Sequence, residues 1–217
     1  MPGDGPPPSA RQIDLVERAY RYALDHGLAE LSLRPLASAI GSSPRVLLYL
    51  FGSKDGLVRA LLARARADEL ALLDRLRDLN GRRPLGLDTV AEQIWAWLAA
   101  PEHRPLLTLW AEGYSRSLID PEGPWGGFAR ATVEDWLDVL AAAQPPEHRD
   151  APLGARQRTL VLAVLRGALL DLLATGDEER TTAAVRTQLA VLRSERPSGA
   201  DGDTPTAATG HTRRPDR

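Results

Sequence analysis

Apolar residues recur along this chain at the three-and-four spacing of helices, and sustained apolar/polar alternation is missing. From Ser9 onward, Ile13, Val16, Tyr20, Ala23 and Leu24 fall on one face of a first helix. Ser9 followed by Gln12 is a capping-box start, and Gly27 is a stop. Ser32 opens a second, short helix with Pro35 in its first turn. Leu36, Ala37 and Ile40 face inward, and Gly41 ends it. Ser43 caps a third helix with Pro44 at its first position. That helix runs to about Leu50 and closes at Gly52; Ser53 then caps a long fourth helix reaching about Leu79. Beyond a break at 81–84, the pattern predicts helices at 86–100, 103–117, 126–143, 153–175 and 178–195. Pro101, a loop at 120–124, Pro145–Pro146 and Gly176 separate them. The expected fold is therefore all-α, with about nine helices: a small head at 9–56, linked through the helix 53–79 to a larger body at 57–196. Residues 1–8, with four Pro and two Gly, read as a disordered arm, and 197–217 as a disordered tail.

Composition narrows the chemistry. In 217 residues, 43% hydrophobic and 26% charged content can bury a core, which excludes wholesale disorder. The absence of cysteine excludes a disulfide framework, a Cys-zinc site and thiol catalysis, and fits a reducing, cytoplasmic location. The N-terminus lacks the basic and apolar regions of a signal peptide, and no apolar run approaches the ~20 residues of a bilayer span. His26, His103, His148 and His211 are scattered, so no metal site or cofactor is expected. No Gly-rich phosphate loop or nucleophile elbow occurs, which argues against an enzyme built on a helical bundle. Net charge is −2, so any nucleic-acid binding must come from a local patch. Residues 32–54 supply one: Arg34, Arg45 and Lys54, the only lysine in the chain, with no acid among them.

That stretch reads as helix, tight turn, helix. Ala37 allows close packing of the next helix, and Gly41 supplies the positive φ of a sharp turn. The layout fits a DNA-binding helix-turn-helix and also an ordinary corner between two helices. The wider run from Leu31 to Leu62, LSLRPLASAIGSSPRVLLYLFGSKDGLVRALL, is more specific. Its Ser-Leu-Arg opening, Ala…Gly turn, Ser-Pro helix start, Tyr49-x-Phe51 pair and Gly52-to-Leu57 entry resemble the DNA-binding domain of TetR-family transcriptional regulators. The resemblance covers about residues 10–62.

The residue chemistry agrees with the resemblance. Ser32 and Ser43 sit at helix N-termini, where amides and dipole favour an anion. With Pro44 beside Ser43, Arg34, Tyr49 and Lys54 are candidates for phosphate contact. Arg45 is the candidate base reader, since Arg to guanine is the commonest specific contact. Two positions depart from the family pattern. Leu48 stands where Tyr is frequent, and either touches a thymine methyl or packs; Leu50 stands where His is frequent. A helical adaptor without DNA binding therefore remains an alternative.

All five Trp fall between 95 and 136. The resemblance implies that the middle helices enclose a pocket for a small-molecule effector, apolar or aromatic. The candidate lining is Trp95, Leu98, Trp110, Tyr114, Trp125, Phe128 and Trp136. From Leu160 to Leu173 the helix at 153–175 is apolar on nearly every side, interrupted only by Arg166 and Asp171, which predicts burial all round. The resemblance implies that the last two helices pair with a second copy through Leu162, Leu165, Arg166, Leu169, Leu173, Val185, Leu189 and Leu192. The alternative is that these residues form an internal hairpin core. Taken whole, the resemblance implies a homodimeric repressor that ligand releases from a palindromic double-stranded DNA operator.

Overall fold

The computed structural model describes residues 9–28, 31–80 and 85–194. The expected arm at 1–8, the break at 81–84 and the tail at 197–217 lie outside them. Ten α-helices occupy the described residues, with no strand among them. They are α1 (Ala10–His26), α2 (Leu33–Ala39), α3 (Pro44–Phe51), α4 (Lys54–Asn80) and α5 (Leu87–Ala99). Then come α6 (Arg104–Ile119), α7 (Phe128–Ala142), α8 (Pro146–Arg149), α9 (Pro152–Thr175) and α10 (Glu178–Ser194). The count exceeds the nine expected because Pro146, read as a breaker, opens the short α8. Proline needs no amide partner in a first turn. Pro101 likewise opens a single 3₁₀ turn, Pro101–His103, ahead of α6.

The caps follow the sequence with two exceptions. The hydroxyls of Ser9, Ser43 and Ser53 accept from the amides of Gln12, Val46 and Gly56 at 3.2, 3.3 and 3.0 Å. Ser32 precedes α2 but its hydroxyl makes no capping bond. Gln12 does not complete a capping box; its side-chain amide donates to the Leu50 carbonyl of α3 at 3.4 Å. Gly41 has φ +66°, and the Ser42 amide reaches back to the Ala37 carbonyl at 2.8 Å, closing the turn between α2 and α3.

The buried face of α1 is rotated from the expected one. Leu15, Ala19, Tyr20 and Ala23 are buried, while Ile13 is 57% exposed. The sequence holds two overlapping stripes that share Tyr20 and Ala23, and packing against α4 selects the one that includes Leu15 and Ala19. Arg64 of α4 pairs with Glu17 of α1 at 2.7 Å and with Asp68, which also accepts from the Tyr20 hydroxyl at 3.0 Å.

Two apolar clusters organise the molecule, and α4 runs through both. Leu57, Val58, Leu61, Leu62 and Ala65 belong to the head cluster, Leu72 and Leu73 to the body cluster. The head cluster continues past residue 56 and takes in Leu109, Trp125 and Phe128 from farther along the chain.

The last helices correct the expected burial. In α9, Val161, Leu162, Leu165, Leu169 and Leu172 are buried, while Leu160 and Leu170 are each 48% exposed. Ala163 and Gly167 are exposed with them, so one protomer covers one face of α9 only. Leu162, Leu165, Leu169, Val185, Leu189 and Leu192, assigned to a dimer seam, are spent in the protomer's own core, and Leu173 packs against it. Arg166 turns to Tyr114 instead, donating to its hydroxyl at 3.2 Å. The free apolar surface is the opposite face: Leu160, Ala163, Gly167 and Leu170 on α9. On the neighbouring α10, Ala184, Thr187 and Val191 are exposed.

Leu165→Ala and Leu189→Ala should each lower unfolding free energy by about 2–5 kcal/mol, the cost of a cavity in a packed core. Denaturant titration should give the same loss at two protein concentrations, because both side chains are buried within one protomer.

Candidate functional site

The outward face of the head is built by α3. Leu47 is buried, with Val46, Leu50 and Phe51 partly buried beside it. An eight-residue helix that anchors those four must present the rest. Tyr49 is 85% exposed, Leu48 42%, and Arg45 is exposed with them. Arg34 on α2, Ser32 ahead of it and Lys54 at the first turn of α4 are also exposed. Ser43 and Pro44 are partly buried, and the Ser43 hydroxyl is engaged in its cap. Leu50 packs inward, so a polar side chain is lost there from the edge of the core, not from the outer face. A shallow groove is lined by Arg45, Tyr49, Val46 and Leu50 together with Arg11 of α1. Arg11 was missed because only the packing of α1 beside α3 brings it to this face. The one acid among these first turns is the exposed Asp55.

A second site lies in the body. α4, α5, α6, α7 and α9 enclose a cavity of about 50 Å³, almost wholly apolar. This holds a few water molecules, far below the ~300–1,000 Å³ of sites for drug-sized ligands, so such a ligand must widen it. Leu98, Trp110, Phe128 and Trp136 line it as expected, joined by Trp97. Gly113 of α6 admits the Phe128 ring; a Cβ there would stand 3.1 Å from a ring carbon. Trp95, Tyr114 and Trp125 are not on its wall. Trp95 faces α10, its indole donating to Thr182 at 3.0 Å. Trp125 belongs to the head cluster. Tyr114 stands behind Arg166, whose guanidinium lies 5.0 Å from the centre of its ring.

Two charged side chains break the apolar wall, Glu69 and Arg166. Glu69 is only 8% exposed. One of its oxygens accepts from the Trp136 indole at 2.6 Å; the other has no partner. Burial pushes its pKa up, against the opposing pull of the Trp136 bond and of Arg66. Arg66 is itself paired with Asp135 at 2.5 Å. One terminal nitrogen of Arg166 and the indole nitrogen of Trp110 are buried without partners. Sequence reasoning missed Glu69 and put Arg166 in the wrong place. The signal was a lone cation inside the apolar run of α9, which a buried helix retains only for a partner or a ligand.

α6 joins the two sites. Its Trp110 lines the cavity, and two residues on, Glu112 accepts from the backbone amide of Leu28 at 2.9 Å, in the segment between α1 and α2.

The architecture is thus a helix-turn-helix head with a basic outer face, carried on a helical body with a closed internal cavity. Residues 15–61 match the family model of the bacterial regulatory proteins of the tetR family. Over 136 residues the chain is 29% identical to the HTH-type transcriptional regulators Rv1816 of Mycobacterium tuberculosis and Mb1846 of Mycobacterium bovis. That alignment covers 60% of this chain and 56% of each relative, so the chain spans little more than half the length of the curated relatives it matches. The multidrug binding protein EbrR, solved with imidazole, is 25% identical with a TM-score of 0.58, over 82% of this chain and 89% of that one. A TetR transcription regulator from Haloarcula marismortui shares the fold at 19% identity and a TM-score of 0.61, over 83% and 96% of the two chains. The head thus matches the tetR-family model over residues 15–61, and the described helices share the fold of TetR-type structures.

Glu69→Gln should stabilise the protein in a pH-dependent way. A folded-state pKa above the unfolded one means the folded state holds more protons, so wild-type stability falls as pH rises from the ordinary carboxylate value through the raised one. The melting temperature of the variant should exceed that of wild type at neutral and alkaline pH. The difference should vanish below the ordinary carboxylate value.

Proposed function

We propose that this protein is a cytoplasmic, DNA-binding transcriptional regulator: a homodimeric repressor that a small apolar or aromatic molecule releases from a palindromic operator. The observation that carries this reading is the outer face of the head. There Arg45 and Tyr49 project from α3 with Arg34, Lys54 and Arg11 around them, within the segment that matches the family model. Arg45 is the base reader; Arg34, Tyr49, Lys54 and Arg11 meet phosphates; Leu48 offers an apolar contact to thymine.

Dimerisation uses the face of α9 and α10 that the protomer leaves uncovered, with Leu160, Gly167 and Leu170 at its centre. Two α3 helices then reach successive major grooves, about 34 Å apart. The effector enters the cavity. EbrR, solved with the planar molecules imidazole and proflavin, supports a ligand of that shape for the Trp97, Trp110 and Trp136 walls. Widening the cavity displaces α4 and α6, which are tied to the head by shared core and by the Glu112–Leu28 bond respectively. Operator DNA must then weaken effector binding by the factor with which effector weakens DNA binding.

Mobility shifts on DNA selected from a random pool test the reading, with a palindromic consensus expected. Lys54→Ala should weaken binding to all sequences alike and reduce the salt slope by about 1. Arg45→Ala should relax preference at one base position, at a cost of about 1–3 kcal/mol. Equal losses on specific and random DNA would refute base reading by Arg45. Leu170→Glu should convert dimer to monomer in sedimentation without loss of helical circular dichroism, since the side chain is half exposed in the protomer. A wild-type monomer at micromolar concentration would sink the dimer.

A further inference from the structure

We propose that the effector cavity selects an apolar molecule carrying a carboxylate, whose oxygens accept from Arg166 and Trp110. This rests on the reading of the cavity as the effector site and names the ligand's headgroup.

The first ground is the balance of donors and acceptors. Around an otherwise apolar space, three buried polar atoms lack partners: a terminal nitrogen of Arg166, the indole nitrogen of Trp110 and one oxygen of Glu69. The two nitrogens can only donate. A third donor, the Trp136 indole, is already spent on Glu69. Buried donors left unpaired are costly, so a ligand gains most by bringing acceptors. A carboxylate brings two oxygens with room for about four hydrogen bonds. It can meet the guanidinium and the indole together.

The second ground is charge. Glu69 and Arg66 come from α4, Asp135 from α7 and Arg166 from α9. α5 gives the cavity Trp97, and α6 gives Trp110 with Tyr114 behind Arg166. Arg66 and Asp135 neutralise each other as a pair. Burial pushes the Glu69 pKa up against the pull of Arg66 and Arg166, which weakens its hold on the Arg166 guanidinium, the cation on the cavity wall. A ligand cation would lie close to Arg166 and leave both donors unpaired. A neutral hydrocarbon would leave all three polar atoms as they are. The anion corrects the charge and the donor surplus at once, while the leucine and aromatic walls take up its apolar body.

The test uses the full chain and three probes with one body: 4-phenylbutyrate, 4-phenylbutylamine and 4-phenylbutanol. Binding is followed by tryptophan fluorescence and calorimetry. The carboxylate should bind at least about tenfold more tightly than the alcohol, and the amine more weakly than either, since a tenfold step corresponds to one good charged contact. Arg166→Gln should erase the carboxylate's advantage over the alcohol; Arg166→Lys should retain part of it. Trp110→Phe, which keeps an aromatic face and removes the donor, should lower carboxylate affinity several-fold more than alcohol affinity. Carboxylate affinity should fall as pH rises through the Glu69 titration, and this slope should disappear in Glu69→Gln. Circular dichroism confirms the fold of each variant. An amine that binds best and is lost in Glu69→Gln would overturn the proposal, as would a carboxylate preference that survives Arg166→Gln. Binding of the alcohol with no headgroup preference overturns the carboxylate but keeps the cavity as an effector site. Failure of all three to bind overturns both.

Discussion

α4 has to satisfy two hydrophobic cores with one set of side chains. Its first half closes the head under α1 and α3 through Leu57, Val58 and Leu61; its second half enters the body through Leu72 and Leu73. Between the two lie Ala65 and Glu69, on the wall of the cavity. A helix of 27 residues is a rod of about 40 Å. Because packed cores shift between discrete arrangements rather than deforming smoothly, a rod shared by two cores is the route of the coupling we propose between cavity and head. The Arg64 bridge from Asp68 to Glu17 and the Tyr20–Asp68 bond fasten α1 to the same rod. The Glu112–Leu28 bond adds a second tie, from α6.

The cavity is small and apolar except at one edge. Apolar walls would close on themselves at no cost, but Glu69, Arg166 and Trp110 cannot all be paired within this packing. The body thus holds unsatisfied polar groups where a simpler core would carry leucine, at a cost in stability. Arg166 is held in place from behind by the Tyr114 hydroxyl and ring, so its free nitrogen is oriented before any ligand arrives.

The far side of the body shows the complementary economy. α9 is apolar nearly all round, yet α5, α7 and α10 cover only the face of Leu162, Leu165 and Leu169. What remains, Leu160, Ala163, Gly167 and Leu170, combines large apolar side chains with small ones that let another backbone come close. An uncovered stripe of that kind is the surface through which we propose that two copies pair.

Sequence alone determined the helices, most of their caps and the head. Those features are local: a serine three residues before an amide, a glycine where φ must be positive, a proline where no donor is needed. The Arg34, Arg45, Tyr49 and Lys54 face was legible for the same reason, since α3 is too short to bury more than one side. Tertiary packing decided the rest. It chose Leu15 and Ala19 over Ile13 on α1, because two stripes of helical period overlap there and only a neighbour can choose between them. It brought Arg11 beside α3 from more than thirty residues away. It sent Trp95, Tyr114 and Trp125 elsewhere and put Glu69 and Arg166 on the cavity wall, because periodicity tells which residues share a face but not which helix that face will meet. On α9, where every face is apolar, period carries no information at all, and only the positions of α5, α7 and α10 separate core from free surface.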